Sequence, residues 1–169
     1  QDIFYDREDV FYGSIHEEGI YPGSGDVDET GTGDGEGATL NAPLPAGAGD
    51  ADFLHVVDAA LGPALADFDP DLVIVSAGFD AHEHDPISRH RVTTEGYALL
   101  TDRLRSIADA SDAALAFVLE GGYGLDTLSE GVAMVHETFD GREPIACKDD
   151  PETATVEITD DIRNRLDIE

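Results

Sequence analysis

Apolar residues recur at helical spacing in three parts of the chain. Side chains three and four positions apart repeat over residues 53–68, 97–108 and 128–139, which predicts three amphipathic helices. Pro63 falls inside the first of these segments and is expected to kink or split that helix, because proline has no backbone N–H to donate.

Four other segments follow a strand pattern. Residues 10–15 and 38–45 are short and β-rich, whereas 71–78 and 113–124 are continuous apolar runs, typical of strands buried on both faces of a parallel sheet. Strands that alternate with helices predict an α/β fold, an open, mostly parallel sheet with helices on both faces. In such sheets ligands bind beyond the carboxyl ends of the strands, here near 76–86 and 120–124.

Polar residues crowd together directly after the first buried strand. Asp80, His82 and His84 alternate in the sequence, so in an extended segment their side chains could share one face. A carboxylate with two imidazoles is a ligand set that suits zinc. The alternative is a turn or N-cap aspartate beside two surface histidines.

The second buried strand ends in the stretch EGGYG. Gly121 and Gly122 would let the backbone approach a bound group, and Tyr123 could donate its hydroxyl to a carbonyl oxygen that becomes an oxyanion. The alternative is a glycine turn with a tyrosine at the rim of the core.

An acidic, glycine-rich loop covers residues 23–37. Asp26, Asp28 and Thr30 fit the first half of a calcium-binding loop, but Gly37 stands where that loop needs its bidentate glutamate. The sequence contains no strict G-x-G-x-x-G motif, no P-loop and no G-x-S-x-G motif of serine hydrolases.

The chain is strongly acidic, with 38 Asp and Glu against 9 Lys and Arg and a formal net charge of −29. This charge disfavours nucleic acid and anionic membranes as partners. Because the carboxylates spread along the whole chain, adaptation to a salty cytoplasm is favoured over a polyanion that binds cations or basic proteins. The sequence contains no apolar run of about 18 residues and its start lacks a signal-peptide pattern, so we expect a cytoplasmic protein.

Three motifs in order resemble those of the histone deacetylase family, which includes acetylpolyamine amidohydrolases and acetoin-utilisation proteins. They are YPGSGDVDETGTGDGEGATLNAPLPAG, PDLVIVSAGFDAHEHDP and LEGGYGLDTL. The resemblance covers residues 1 to about 140 and implies the parallel α/β fold that these enzymes share with arginases. It also implies zinc-dependent hydrolysis of an acetyl-amide, in acetyl-lysine or an acetylated polyamine or small amine.

The resemblance assigns roles to single residues around the expected zinc. Asp80 matches a zinc ligand and Tyr123 the tyrosine that polarises the substrate carbonyl. Gly121 and Gly122 match glycines of the acyl channel, and Tyr21 matches an aromatic wall of it. His82 and His84 lie outside the shared pattern and receive no role.

The resemblance also implies two monovalent cation sites. Ser14 and Ile15 match positions that bind a structural potassium ion, while Phe4, Arg7 and Val10 match backbone ligands of a second cation.

Part of the family pattern is absent from this sequence. The other zinc ligands, in a pattern like D-x-D-x-H-H-G-N-G-T, and the histidine base belong to a segment that precedes the matched residues. Residues 1–140 are therefore expected to be the C-terminal half of a catalytic domain, inactive without the N-terminal half, and 141–169 an acidic tail with a possible surface helix. The alternative is a non-catalytic acidic α/β module that binds cations or a partner.

Overall fold

The structure, a computed structural model, describes residues 1–21 and 23–168. Four strands and five α-helices follow one another in these residues. They are β1 (Tyr12–Glu17), β2 (Thr39–Leu44), α1 (Asp50–Val56), α2 (Gly62–Phe68), β3 (Leu72–Ala77), α3 (Thr94–Ala110), β4 (Ala114–Leu119), α4 (Leu125–Phe139) and α5 (Thr153–Arg165). The order confirms the predicted alternation of strands and helices. None of the described helices is long and apolar enough to cross a membrane.

The strands form two parallel pairs within the described residues. β1 pairs with β2, with Tyr12 opposite Thr39, and β3 pairs with β4, with Leu72 opposite Ala114. The parallel arrangement agrees with the predicted α/β class, but the two pairs are separate sheets and not one continuous sheet. The fold is therefore that of an incomplete α/β domain.

The prediction that β3 and β4 are buried on both faces is wrong for this chain. Leu72, Ile74 and Val118 are about half exposed, at 52%, 60% and 47%, on one face of the pair. On the other face the ring of Phe117 packs edge-on against Phe139 of α4, with centroids 5.3 Å apart. Helices from the described residues cover only that second face, so the apolar residues of the first face remain open to solvent.

Pro63 lies in a continuous helical segment whose backbone is widened just before the proline. A π-helical stretch, Val57–Leu61, separates α1 from α2, and Pro63 occupies the first turn of α2. A wider turn before the proline accommodates the missing N–H and the bulk of its ring. The helix is therefore divided into α1 and α2 as predicted, but the π-helical turn keeps the two parts continuous.

The core lies between β2, α1 and α5. Leu40, Leu44 and Val56 are fully buried there, and Ile162 of α5 is only 2% exposed. The C-terminal helix begins at Thr153, and its buried face carries Thr155 as well as Ile162. The possible surface helix of the tail thus packs one face against the core, while the division of the chain at residue 140 stays a prediction.

Candidate active site

Two loops meet at the carboxyl ends of β3 and β4. We call residues 78–93 the β3 loop and residues 120–124 the glycine loop. The strand register places Ala77 opposite Leu119, so the loops leave the sheet side by side. Their backbones remain joined beyond the strands, because the Phe79 N–H donates to the Gly121 carbonyl at 2.9 Å.

Asp80 of the β3 loop packs directly against the glycine loop. A Cβ added to Gly121 would lie 2.8 Å from the carboxylate carbon and from both oxygens of Asp80. A Cβ added to Gly78 would lie 2.9 Å from Oδ1 of the same group. Only glycine therefore leaves room for the carboxylate, and among the described residues no group donates a hydrogen bond to it.

Tyr123 projects from the glycine loop, with 61% of the residue exposed. Glycines flank it on both sides, and Gly122 adopts a φ of 129°, which other residues rarely adopt. The backbone N–H of Tyr123 donates to Oδ2 of Asp85 at 2.7 Å. The tyrosine hydroxyl thus points from a loop whose backbone is fixed from the β3 side.

His82 and His84 do not join Asp80 in a metal site, which corrects the hypothesis of a shared face. His82 is 3% exposed; its Nε2 lies 3.0 Å from Thr94 Oγ1, and its Nδ1 accepts the His84 N–H. Burial, and then the neighbouring His84, lower the pKa of His82. The side chain of His84 is 72% exposed. A turn in the β3 loop, closed by the Asp85 N–H to the His82 carbonyl at 2.8 Å, separates the two rings from Asp80.

Asp80 and Tyr123 both line a cleft of about 1100 Å³ that runs between the two sheets. Every residue of β1 and of β3 lines this cleft, and so do Val10 and Tyr21. Ser14 and Ile15 reach it from β1. The cleft therefore brings together predicted residues from both ends of the matched region.

Two buried polar atoms at the cleft have no hydrogen-bond partner among the described residues. They are the hydroxyl of Tyr97 and Nε2 of His90. Burial, together with the charges of Asp80, Asp85 and Asp50, raises the pKa of Tyr97 far above its usual range. Burial likewise lowers the pKa of His90. Unpaired buried groups of this kind are rare in complete domains.

The residues predicted for the cation sites lie in two places. Ser14 Oγ is 2.9 Å from His16 Nδ1, beside the cleft. The Phe4 carbonyl closes a turn by accepting the Arg7 N–H at 3.0 Å, and this turn packs against the glycine-rich loop at Gly35. Across residues 1–21 and 23–168, no group of three His, Cys, Asp or Glu is placed to hold a metal, and this includes Asp26 and Asp28 of the possible calcium loop.

Asp85 lies in the second family motif, but no role of its own was assigned to it from the sequence. The sequence shows an aspartate before a proline, which is an ordinary turn pattern. Its bonds to the glycine loop join residues 38 and 39 positions apart, and no local pattern predicts them.

The structure thus brings a carboxylate and a tyrosine together at the carboxyl ends of two parallel strands, where ligands bind in α/β sheets. The family model of the histone deacetylase domain matches residues 1–139. The chain belongs to the histone deacetylase family.

Two relatives match three quarters or more of this chain. Histone deacetylase 10, chloroplastic, of Oryza sativa subsp. japonica is 41% identical over 168 residues, which are 98% of this chain and 38% of that protein. A probable deacetylase of Archaeoglobus fulgidus is 42% identical over 127 residues, covering 75% of this chain and 35% of that protein.

Solved structures of the family have the same fold. The histone deacetylase Clr3 superposes with a TM-score of 0.90 at 34% identity, over 98% of this chain and 29% of that chain. The HD domain of HDA15 gives a TM-score of 0.88 at 35% identity, over 98% of this chain and 47% of that one. The chain therefore spans less than half the length of the relatives it matches.

Proposed function

We propose that this chain is the C-terminal half of a zinc-dependent deacetylase domain that hydrolyses the acetyl-amide of acetyl-lysine, or of an acetylated polyamine or small amine. The observation that carries the proposal is the union of Asp80 and Tyr123 on two hydrogen-bonded loops at one cleft. Membership of the histone deacetylase family supports the same reaction.

Asp80 is the residue of this chain that would hold the zinc. Its carboxylate faces the cleft and receives no hydrogen bond from the described residues. Carboxylate oxygens are among the ligands that zinc binds in proteins. When bound, zinc supplies Lewis acidity toward the amide carbonyl and a nucleophilic water. One carboxylate is too few for a site that needs three protein ligands, so the isolated chain should be inactive.

Tyr123 would act on the substrate carbonyl. Its hydroxyl is exposed and free to donate a hydrogen bond to the oxygen on which negative charge develops during attack on the amide. A donor placed in advance for that charge lowers the barrier, and loss of one such donor costs about 10²–10³ in kcat. Gly121, Gly122 and Tyr21 would form the walls of the channel that admits the acyl group.

The missing N-terminal half would occupy the cleft. β1 and β3 each have one partner strand within the described residues, so each presents an unpaired edge to the cleft. An unpaired strand edge is a template for another strand. A segment of the N-terminal half inserted there would supply partners for the Tyr97 hydroxyl and His90 and bring the further zinc ligands to Asp80.

Monovalent cations would stabilise the same end of the domain. Ser14 and Ile15 are proposed as ligands of a structural potassium ion, with Phe4, Arg7 and Val10 around a second cation through their carbonyls. The turn closed by Phe4 and Arg7 already orients backbone oxygen atoms in this segment.

The remaining properties follow from the charge. A net charge of −29 fits a cytoplasm of high salt, and it opposes binding to nucleic acid and anionic membranes. We propose a cytoplasmic halophilic enzyme on this ground, with a cationic amine substrate compatible with the acidic surface.

Complementation tests the proposal. The chain is mixed with a separately produced N-terminal half, zinc and molar potassium chloride, and release of acetate from acetyl-lysine peptide and acetylated polyamine is measured. Activity is expected from the mixture and from neither half alone. Acetate release by the isolated chain, or an inactive mixture that forms a stable complex, would contradict the proposal and favour a non-catalytic binding module.

A further inference from the structure

The carboxylate of Asp85 connects the two loops of the candidate active site. Oδ2 accepts hydrogen bonds from the backbone N–H groups of Tyr123 at 2.7 Å and Gly124 at 3.2 Å. Oδ1 accepts the N–H of Ile87 at 2.9 Å. Asp85 is 7% exposed, and charged acceptors make hydrogen bonds about twice as strong as neutral ones, especially when water is excluded.

The position of Tyr123 depends on its hydrogen bond to Asp85, because the neighbouring glycines restrict the backbone very little. Gly122 and Gly124 give the backbone on either side of Tyr123 wide conformational freedom. In the described residues the Tyr123 side chain makes no hydrogen bond, and most of it is exposed. The backbone therefore sets the position and the Cα–Cβ direction from which the phenol projects, and Asp85 holds the backbone there.

The carboxylate also sits where α4 begins. Gly124 is the N-cap of α4 and has no side chain to cap the helix. Asp85 accepts the N–H of Gly124 itself and of Tyr123 before it, not the N–H groups of the first helical turn, and its negative charge is favoured near a helix N-terminus. The glycine loop is thus held between the end of β4 on one side and the start of α4 on the other.

We propose that Asp85 is a positioning residue for Tyr123, which it holds in the orientation that deacetylation needs; this inference rests on the function proposed above. The competing explanation is that Asp85 only closes the turn through Ile87. That role would affect folding stability but not the tyrosine in particular.

Amide hydrogen exchange separates these explanations without any need for activity. In this chain, Asp85→Ala should raise the exchange rates of the Tyr123 and Gly124 amides at least about tenfold, while amides of β3 and β4 keep their rates. Asp85→Asn, which keeps the shape and one acceptor oxygen, decides the question if the alanine variant does not fold. Glu83→Gln removes a carboxylate from an exposed position in the same loop and should change neither rate.

Kinetics of the complete domain, assembled from this chain and the N-terminal half, test the catalytic consequence. Asp85→Asn should lower kcat about tenfold or more with KM within about twofold and zinc content unchanged, because small misplacements of a reacting group are costly. In a Tyr123→Phe background, the same substitution should cause no further loss, since Asp85 acts through the phenol.

The exchange and kinetic measurements test the positioning role and the proposed function separately. Unchanged exchange at Tyr123 and Gly124, or additive losses in the double variant, would overturn the positioning role. A wild-type assembly without deacetylase activity would contradict the proposed function, while the exchange rates would still show whether Asp85 fixes the tyrosine.

Discussion

The contact between Gly121 and Asp80 makes a quantitative prediction about zinc. In Gly121→Ala, the new Cβ would lie 2.8 Å from the Asp80 carboxylate, about 0.6 Å short of the 3.4 Å at which ordinary contact begins. The φ of Gly121 is not in the left-handed region, so the backbone can accept alanine and the carboxylate must move instead.

That displacement exceeds what a metal site tolerates. Ligand distances in metal sites hold to within about 0.2 Å, so a shift of about 0.6 Å should misplace Asp80 as a ligand. We expect zinc affinity to fall about 10–100-fold, the range seen when the surroundings of a ligand are disturbed. Stability should change little, because Asp80 is a short side chain at an open cleft and can turn aside.

The assay is a zinc titration of the complete domain in competition with a chromophoric chelator. Gly141→Ala is the control, because no atom lies within 4 Å of its added Cβ although its φ of 100° strains the backbone. The control should lose stability and keep its zinc affinity. Equal zinc affinity in Gly121→Ala and wild type would refute the assignment of Asp80 as a ligand held by the glycine loop.

Three further predictions concern catalysis, acid stability and salt. Tyr123→Phe should lower kcat about 10²–10³-fold in the complete domain with little change in melting temperature, because only the exposed hydroxyl is removed; a loss confined to KM would argue against its role. Burial alone would raise the pKa of Glu17, but hydrogen bonds from Arg89 and Ser88 outweigh it and lower the pKa. The ionised Glu17 therefore stabilises the fold above about pH 4.5, and this stabilisation is lost as the pH falls further. Glu17→Gln should lower the free energy of unfolding, measured in urea, by about 2–3 kcal/mol at pH 7 and by less in acid. An equal loss at both pH values would contradict this assignment. Removal of molar salt should lower the melting temperature of the chain, and stability independent of salt would oppose the halophilic interpretation.

Periodicity was enough to predict most helices and strands. The helices over 97–108 and 128–139 were placed by their apolar faces, and the structure extends each by a few residues at its start. The burial of β3 was not predictable in the same way. An apolar run such as that from Leu72 to Val75 shows that a strand can be covered on both faces, but not whether the covering elements are present.

The buried face of the C-terminal helix consists largely of threonines, which are polar, and was therefore not recognised from the sequence. Thr155, Thr159 and Ile162 share one side of α5 and are nearly fully buried. The hydroxyls are satisfied locally or by Asp52, since Thr155 Oγ1 donates to Asp52 Oδ1 at 2.6 Å and Thr159 Oγ1 donates to the Thr155 carbonyl. A count of apolar residues treats threonine as polar, so the segment appears weakly patterned.

Some residues of the candidate site could likewise be predicted from the sequence, and others could not. Asp80 and Tyr123 could be singled out because they follow strands and match family motifs. The burial of His82 against Thr94 and the bonds of Asp85 to the glycine loop depend on loop geometry between distant residues. Tertiary contacts of this kind leave no local pattern in the sequence.

The mass and zinc content of the native protein, purified from its source at high salt, test the central claim most directly. We predict that these residues occur in a chain or stable complex well above 18.0 kDa, with about one zinc per catalytic domain. A zinc-free native species of 18.0 kDa would contradict the account, because a lone Asp80 cannot hold a catalytic zinc and the chain could then act only by binding.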